Sequence, residues 1–167
     1  MRTTRALLAA RASAGFTLVE LIVILLVLGI LAVFILPRQN MSVFRERADF
    51  DGVMSALQYA RKAAIAKRRY VCVALSGTAV TLTIDPNPPE ATAAAFGGSC
   101  PFATALALPV PDSRCTTSNQ ACVRATTLTS SAPTFQFDAR GRASAGTTVT
   151  VSGYTPITIE DETGYVR

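Results

Sequence analysis

The sequence predicts an α+β fold, in which one long N-terminal helix packs on an antiparallel β-sheet. The sixteen residues Leu21–Leu36 contain no charged or polar side chain. Counted from Phe16, this apolar segment forms a helix about 31 Å long, which matches the thickness of a bilayer core. Residues 41–69 follow with helical periodicity, and residues 70–167 contain short alternating apolar runs separated by turn signals. A helix followed by a run of strands is an α+β order.

Residues 41–69 are predicted to form an amphipathic helix that places an apolar stripe against the sheet. The apolar positions of this helix are Phe44, Ala48, Phe50, Val53, Met54, Leu57, Ala60, Ala64 and Ile65. The opposite, solvent-facing positions are Arg45, Glu46, Arg47, Asp49, Asp51, Gln58, Arg61, Lys62 and Lys67. We interpret the stripe as part of the hydrophobic core and not as a cofactor site.

The sheet region begins with a predicted hairpin. Residues 70–75 and 79–84 alternate apolar and polar side chains, and Ser76-Gly77-Thr78 between them reads as a turn. Residues 91–131 have no clear periodicity apart from a possible strand at 103–110. Three further strands are predicted, at 134–138, 147–152 and 156–160.

The charge of the chain is concentrated near its start. The formal net charge is +5, but Arg2, Arg5 and Arg11 precede Gly15 with no acidic residue among them. Without residues 1–15 the net charge is +2, which gives little reason to expect nucleic-acid binding from charge alone. Basic residues beside an apolar span stay on the cytoplasmic side, so the C-terminal part is expected outside the cytoplasmic membrane.

Three kinds of N-terminal segment compete. An ordinary signal peptide has a shorter apolar region and ends in small residues, whereas Pro37-Arg38-Gln39-Asn40 follows here. An uncleaved anchor fits the length but gives no reason for Glu20, an acid inside the apolar edge, where a charge is expensive. In the alternative interpretation, the Glu20 side chain reaches back to the membrane surface and has no functional role.

The heptapeptide Gly15-Phe16-Thr17-Leu18-Val19-Glu20-Leu21, after a short basic leader, resembles the processing site of type IV pilins and type II secretion pseudopilins. The resemblance implies that a prepilin peptidase cleaves between Gly15 and Phe16 and then N-methylates Phe16. It also implies that Glu20 meets the free α-amino group of a neighbouring subunit during filament assembly. A buried carboxylate facing a buried ammonium group satisfies both charges.

The domain organisation follows from this resemblance. A leader peptide covers residues 1–15, a transmembrane and assembly helix covers 16–37, and a periplasmic pilin-like domain covers 38–167. The expected partners are prepilin peptidase, other pilins or pseudopilins in a filament, and the inner membrane, which the chain crosses once with its N-terminus in the cytoplasm.

A second stretch narrows the resemblance to one branch. The segment Leu57-Gln58-Tyr59-Ala60-Arg61-Lys62-Ala63-Ala64-Ile65, followed by Val71-Cys72-Val73, resembles the helix-to-strand signature of H-type pseudopilins and FimT-like minor pilins. Phe135-Gln136-Phe137, a Gly-Arg turn and the ending Thr163-Gly164-Tyr165-Val166-Arg167 resemble the same branch. A type IV pilus and a type II secretion pseudopilus fit these residues equally well.

Four cysteines, Cys72, Cys100, Cys115 and Cys122, predict two disulfides in an exported domain. Three pairings are possible, and we favour Cys115–Cys122, which closes a short polar loop, with Cys72–Cys100 as the remainder. Zinc is the competing explanation, but the chain has no histidine and no Cys-x-x-Cys pair.

A DNA-binding minor pilin for DNA uptake is the alternative function. Its candidate residues are Arg61, Lys62, Lys67, Arg68, Arg69 and Arg167. Basic residues at the end of a helix more often complement its dipole, and aromatic residues are nearly absent from the cluster. Some relatives bind DNA through a Gly-Arg-x-Arg tail, which this chain replaces with Gly164-Tyr165-Val166-Arg167. Nucleic acid is therefore not the favoured partner.

An enzyme is not expected. The sequence has no histidine, nucleophile elbow, phosphate-binding loop or metal-ligand spacing. We expect no catalytic residue, no metal and no cofactor.

Overall fold

A computed structural model describes residues 16–35, 41–87 and 101–167 of the 167-residue chain. The chain divides into two units, Met1–Asn40 and Met41–Arg167. The predicted leader and the end of the predicted membrane segment, including Pro37, lie outside the described residues.

The first unit contains helix α1, Leu18–Ile35. Every described side chain between Phe16 and Leu31 is exposed, although nearly all of them are apolar. Such a helix has no polar face that would suit water, so its side chains need an apolar surrounding. Within residues 16–35, 41–87 and 101–167, no helix is long and apolar enough to cross a membrane.

The second unit begins with helix α2, Met41–Lys67, which ends two residues earlier than predicted. Arg68 adopts a left-handed conformation with φ of 50°. The Arg69 N–H bonds the Ala64 carbonyl at 3.1 Å, and the Arg68 N–H bonds the Ile65 carbonyl at 3.3 Å. This pair of bonds is a Schellman motif, which satisfies carbonyl groups at the helix end without a glycine.

The buried face of α2 is rotated from the predicted stripe. The buried residues of the helix are Asp49, Val53, Ala56, Leu57, Ala60, Ala63 and Ala64. Four assignments were therefore wrong: Asp49 is 1 % exposed instead of facing solvent, whereas Phe44, Ala48 and Ile65 are exposed instead of facing the sheet. Phe44 and Ala48 precede the residues of α2 that pack in the core, Ile65 follows them in the last turn, and Asp49 lies beneath a loop that contacts α2.

The described residues of the second unit contain two antiparallel sheets. The strands are β1 Val71–Leu75, β2 Ala79–Ile84, β3 Thr104–Ala105, β4 Gln120–Cys122, β5 Leu128–Ser130, β6 Thr134–Phe137, β7 Thr147–Val151 and β8 Ile157–Ile159. In the first sheet the order is β3-β2-β1-β6, and β4 also pairs with β2; in the second it is β5-β7-β8.

The register explains how two short strands share one partner. Val71 pairs with Ile84 and Leu75 with Val80 in the β1–β2 hairpin, as the alternation predicted. Strand β3 pairs with the end of β2 at Thr83 and Ile84, whereas β4 pairs with its beginning. The two segments therefore lie end to end along the same edge of β2.

One hydrophobic core joins α2 to both sheets. Its largest fully buried side chains are Phe135, Phe137, Leu57, Leu82, Ile157, Ile159, Val53, Val71, Val73, Val80, Val149 and Val151. Four alanines on the buried face of α2 let the helix backbone approach the sheet closely. All of these residues lie between Val53 and Val166, so the second unit has a core of its own.

The α+β prediction is confirmed, but the structure has two sheets instead of one. The predicted strand at 103–110 is reduced to the two residues of β3, and β4 and β5 occupy a region that had no clear periodicity. Both were missed because strands of three residues leave no alternation to recognise, and their pairing depends on distant partners.

The C-terminal turn packs closely on the end of α2. The Arg61 Nε donates to the Gly141 carbonyl at 3.3 Å. A Cβ atom on Gly164, whose φ is +60°, would lie 1.8 Å from that same carbonyl oxygen. The contact between Gly141 and Gly164 therefore requires glycine at position 164. Tyr165 and Val166 line a small cavity with Arg61 and Lys62, so the end of the chain lies beside the last turns of α2.

Candidate functional site

Thr17 caps the start of α1. Thr17 precedes the helix, and its Oγ1 accepts a hydrogen bond from the Glu20 N–H at 3.2 Å. The Thr17 carbonyl accepts from the Leu21 N–H, also at 3.2 Å. A threonine followed three residues later by glutamate is the sequence pattern of this cap. The helix can therefore begin at Leu18, two residues after Phe16, without help from the preceding chain.

The predicted processing and assembly residues lie at this end of α1. Phe16 precedes the helix and is 75 % exposed, while Glu20 is exposed in its first turn. The carboxylate of Glu20 is accessible there to a cationic group of another molecule, and the positive end of the helix dipole stabilises it. Gly15 lies outside the described residues.

A second site, which was not predicted from the sequence, lies under the segment 112–126. The Asp49 carboxylate is fully buried and joins α2 to this segment. Its Oδ2 accepts backbone N–H bonds from Arg124 at 3.0 Å, Ala125 at 2.9 Å and Thr126 at 3.2 Å. The Thr126 hydroxyl donates to the same oxygen at 3.2 Å, and Arg114 Nη1 pairs with Oδ1.

Arg114 lies between two carboxylates. Besides Asp49, its guanidinium contacts Asp112, with Nη2 2.8 Å and Nε 2.9 Å from the carboxylate oxygens. Burial alone would raise the pKa of Asp49, but hydrogen bonds from Ala125, Arg124 and Arg114 outweigh it and hold that pKa below its ordinary value. Hydrogen bonding from Arg114 likewise lowers the pKa of Asp112. Both groups stay ionised, so the network is a structural anchor and not an acid–base pair.

The cysteine predictions fall on this segment and on the first sheet. Cys115 and Cys122 form a disulfide, as predicted. The loop that it closes carries Asn119, which is buried and donates to a carbonyl of β2 at 2.8 Å. Cys72 is buried in β1, and Cys100 lies outside the described residues, so their pairing stays a prediction. In the part of the chain that the structure describes, no acidic or cysteine cluster is placed to hold a metal.

Some of the candidate DNA-binding residues form bonds within the domain, and the others are exposed. Arg61 donates to a backbone carbonyl of the turn at Gly141. Arg69 donates to the carbonyls of Asp85 and Pro86, and Arg167 forms an ion pair of 3.5 Å with Glu160. The remaining members of the cluster, exposed at the end of α2, are Lys62, Lys67 and Arg68. The structure therefore engages several of these side chains within the domain.

An apolar helix that begins just after a candidate cleavage site, with an amphipathic helix on antiparallel sheets, defines the class of pilins and pseudopilins. Residues 10–36 match the prokaryotic N-terminal methylation motif. Residues 51–165 match the family described as type II transport protein GspH, and the chain belongs to this family. No curated protein sequence matches the chain.

Two solved structures resemble the chain, and both are crystal structures of the type IV minor pilin FimU from Pseudomonas aeruginosa PAO1. The crystal form in space group P65 has 17 % identity and a TM-score of 0.47, and the match covers 72 % of this chain and 89 % of the FimU chain. The form in space group P21 has 18 % identity and a TM-score of 0.48, with coverage of 74 % and 86 %.

Proposed function

We propose that this chain is a minor pilin or pseudopilin that a prepilin peptidase processes between Gly15 and Phe16. The mature subunit then takes part in assembling a type IV pilus or a type II secretion pseudopilus. The observation that carries the proposal is the methylation motif over residues 10–36, followed in the same chain by the GspH-family match over residues 51–165. The family consists of structural subunits, so the role is assembly and not catalysis.

The apolar surface of α1 supports a role in a membrane and then in a filament. Its described side chains are exposed in the isolated chain, and two environments suit such a surface: lipid and other apolar helices. We propose that residues 16–37 cross the inner membrane once. The leader arginines Arg2, Arg5 and Arg11 favour a cytoplasmic N-terminus, which places the domain in the periplasm.

Glu20 is the residue proposed to recognise a neighbouring subunit. Cleavage before Phe16 creates an α-amino group four residues from this carboxylate. Within apolar surroundings either charge alone is costly, whereas a carboxylate paired with an ammonium group of another subunit satisfies both. The pair would therefore favour the register in which one subunit's N-terminus meets the next subunit's Glu20.

The mature N-terminus tests the processing step. Mass spectrometry of the protein purified from membranes of its own host should find Phe16 as the first residue, carrying one extra methyl group. The control is a strain without prepilin peptidase, in which the chain should keep its leader. A mature chain that begins after Leu36, or that starts at Met1 despite an active peptidase, would contradict the proposal.

The variant Glu20→Gln separates two roles of this residue, its place in the helix cap and its negative charge. Glutamine serves as well as glutamate at the third position of a capping box, so α1 should still form. Only the negative charge is lost. We expect normal cleavage and methylation with loss of incorporation into filaments, measured by immunoblotting sheared filament fractions. The control Val19→Leu keeps both the charge and the cap, and should assemble normally. Normal assembly of Glu20→Gln would refute charge pairing.

A further inference from the structure

A cleft of about 350 Å³ opens beside the first turns of α2. It lies between the helix and the segment that Asp49 holds in place. The residues that line it are Arg45, Asp49, Arg114, Arg124 and Ala125. Three of the five are arginines, so the cleft is suited to a carboxylate-bearing ligand.

The positive charge of the cleft is only partly balanced within the domain. Arg114 is neutralised by Asp49 and Asp112. Arg45 and Arg124 are exposed, and in residues 41–87 and 101–167 neither forms an ion pair with an acidic side chain. The Arg124 Nη2 donates to the Arg114 carbonyl at 2.5 Å. The mouth of the cleft therefore carries two guanidinium groups, those of Arg45 and Arg124, whose charges no carboxylate of the described residues balances.

The complementary surface is an acidic corner, defined as residues 160–162 after β8. Glu160 is partly engaged by Arg167, but Asp161 and Glu162 are exposed and form no ion pair in the described chain. The two carboxylates border a shallow cavity with Arg142, whose guanidinium is paired with Asp138. The corner is the one place in the sequence where three acidic residues are consecutive.

The cleft and the corner lie at opposite ends of α2. The cleft is lined by Arg45 and Asp49. The corner belongs to a turn closed by backbone hydrogen bonds of Glu160, and Tyr165 and Val166 of this turn lie beside Arg61 of the helix. Sixteen residues of helix separate Arg45 from Arg61, a distance of about 24 Å along the axis. The cleft and the corner of one molecule therefore cannot contact each other. The corner of a second copy that is displaced along α2 can contact the cleft.

We propose that the arginine cleft receives the acidic corner of a second copy of this chain. The contact joins two different surfaces, so it is heterologous and leaves a free cleft and a free corner at the two ends of every pair. It thus suits a subunit of a filament, and in this respect it rests on the proposed function. Arg45 and Arg124 are the groups on the cleft side, and Asp161 and Glu162 are the groups on the corner side.

Self-association of the domain 41–167 tests the proposal. This domain has its own core, and it lacks the processing and assembly residues, so the result is independent of the processing experiments. Sedimentation velocity at up to about 1 mM protein should detect self-association in about 50 mM salt, with a large loss in about 500 mM salt because exposed charges are screened. A protein that stays monomeric at the low salt concentration overturns the proposal.

Charge reversal identifies the two surfaces. The cleft variant Arg45→Glu/Arg124→Glu and the corner variant Asp161→Lys/Glu162→Lys should each weaken self-association by about tenfold or more, because like charges then face each other. An equimolar mixture of the two variants should restore association. The control Lys67→Glu/Arg140→Glu makes the same change of net charge as the cleft variant at other positions, and should associate like the wild type.

Circular dichroism would verify that each variant is folded. If Arg124→Glu disturbs the domain, Arg45→Glu alone replaces it, since Arg45 is exposed on α2. A cleft variant that associates as well as the control would overturn the proposal. So would a mixture of cleft and corner variants that stays monomeric.

Discussion

The buried carboxylate of Asp49 should be the most sensitive polar group of the domain. Asn is almost isosteric with Asp, so Asp49→Asn leaves the packing intact and removes the charge. The asparagine side chain has a single carbonyl oxygen. This oxygen can accept hydrogen bonds either from the four donor groups of residues 124–126 or from Arg114, but not from both. Removing one partner of a buried ion pair typically costs about 3–5 kcal/mol. We expect a loss of about 3 kcal/mol, at the lower end of that range, because some hydrogen bonds survive.

Urea denaturation of the domain 41–167, followed by far-ultraviolet circular dichroism, measures this loss. For a domain of this size, about 3 kcal/mol corresponds to a decrease in Tm on the order of 10 °C. Asp51→Asn is the matched control, since Asp51 lies on the same helix in an exposed ion pair with Arg47. Its effect should stay within about 0.5 kcal/mol. Equal losses for the two variants would refute the role assigned to Asp49.

The same network predicts a pH dependence. Folding lowers the pKa of Asp49 and Asp112, so their contribution is present above the ordinary carboxyl pKa of about 4 and is lost as the pH falls below it. Between about pH 5 and pH 3, wild-type stability should fall more than that of Asp49→Asn; parallel curves in urea titrations would contradict this. Gly164→Ala should destabilise the domain by about 3 kcal/mol, because its Cβ atom meets the Gly141 carbonyl at a positive φ. Gly77→Ala, where a Cβ meets nothing within 4 Å, is the control and should be nearly neutral in the same assay.

The sequence was most informative where regular periodicity extended over many residues. The two helices and the β1–β2 hairpin were predicted within about two residues, and the pattern from Gly15 to Leu21 led to the correct class of protein. These features depend on local spacing, which a single sequence displays directly. Strands β4 and β5 could not be predicted in the same way, because each gains its stability from a partner far away in the chain.

Asp49 was misassigned for a different reason. An acidic residue on an amphipathic helix is normally placed on the solvated face, and Asp49 was placed there. Its spacing indicated the buried face instead, since Asp49 lies four residues before Val53 and seven before Ala56, both of which are buried. A carboxylate on the buried stripe is compatible with folding only if donors converge on it. Those donors come from residues 114–126, and no sequence pattern connects that segment to α2.

The anchor at Asp49 also determines how freely the surface above it can change. Three of its hydrogen bonds come from the main-chain N–H groups of Arg124, Ala125 and Thr126, which every residue except proline provides. The side chain at position 125 can therefore be exchanged while the segment keeps its place on the helix, and a change at position 124 removes only the hydrogen bond to the Arg114 carbonyl. The protein can thus acquire different recognition surfaces at this cleft without altering the architecture that supports them.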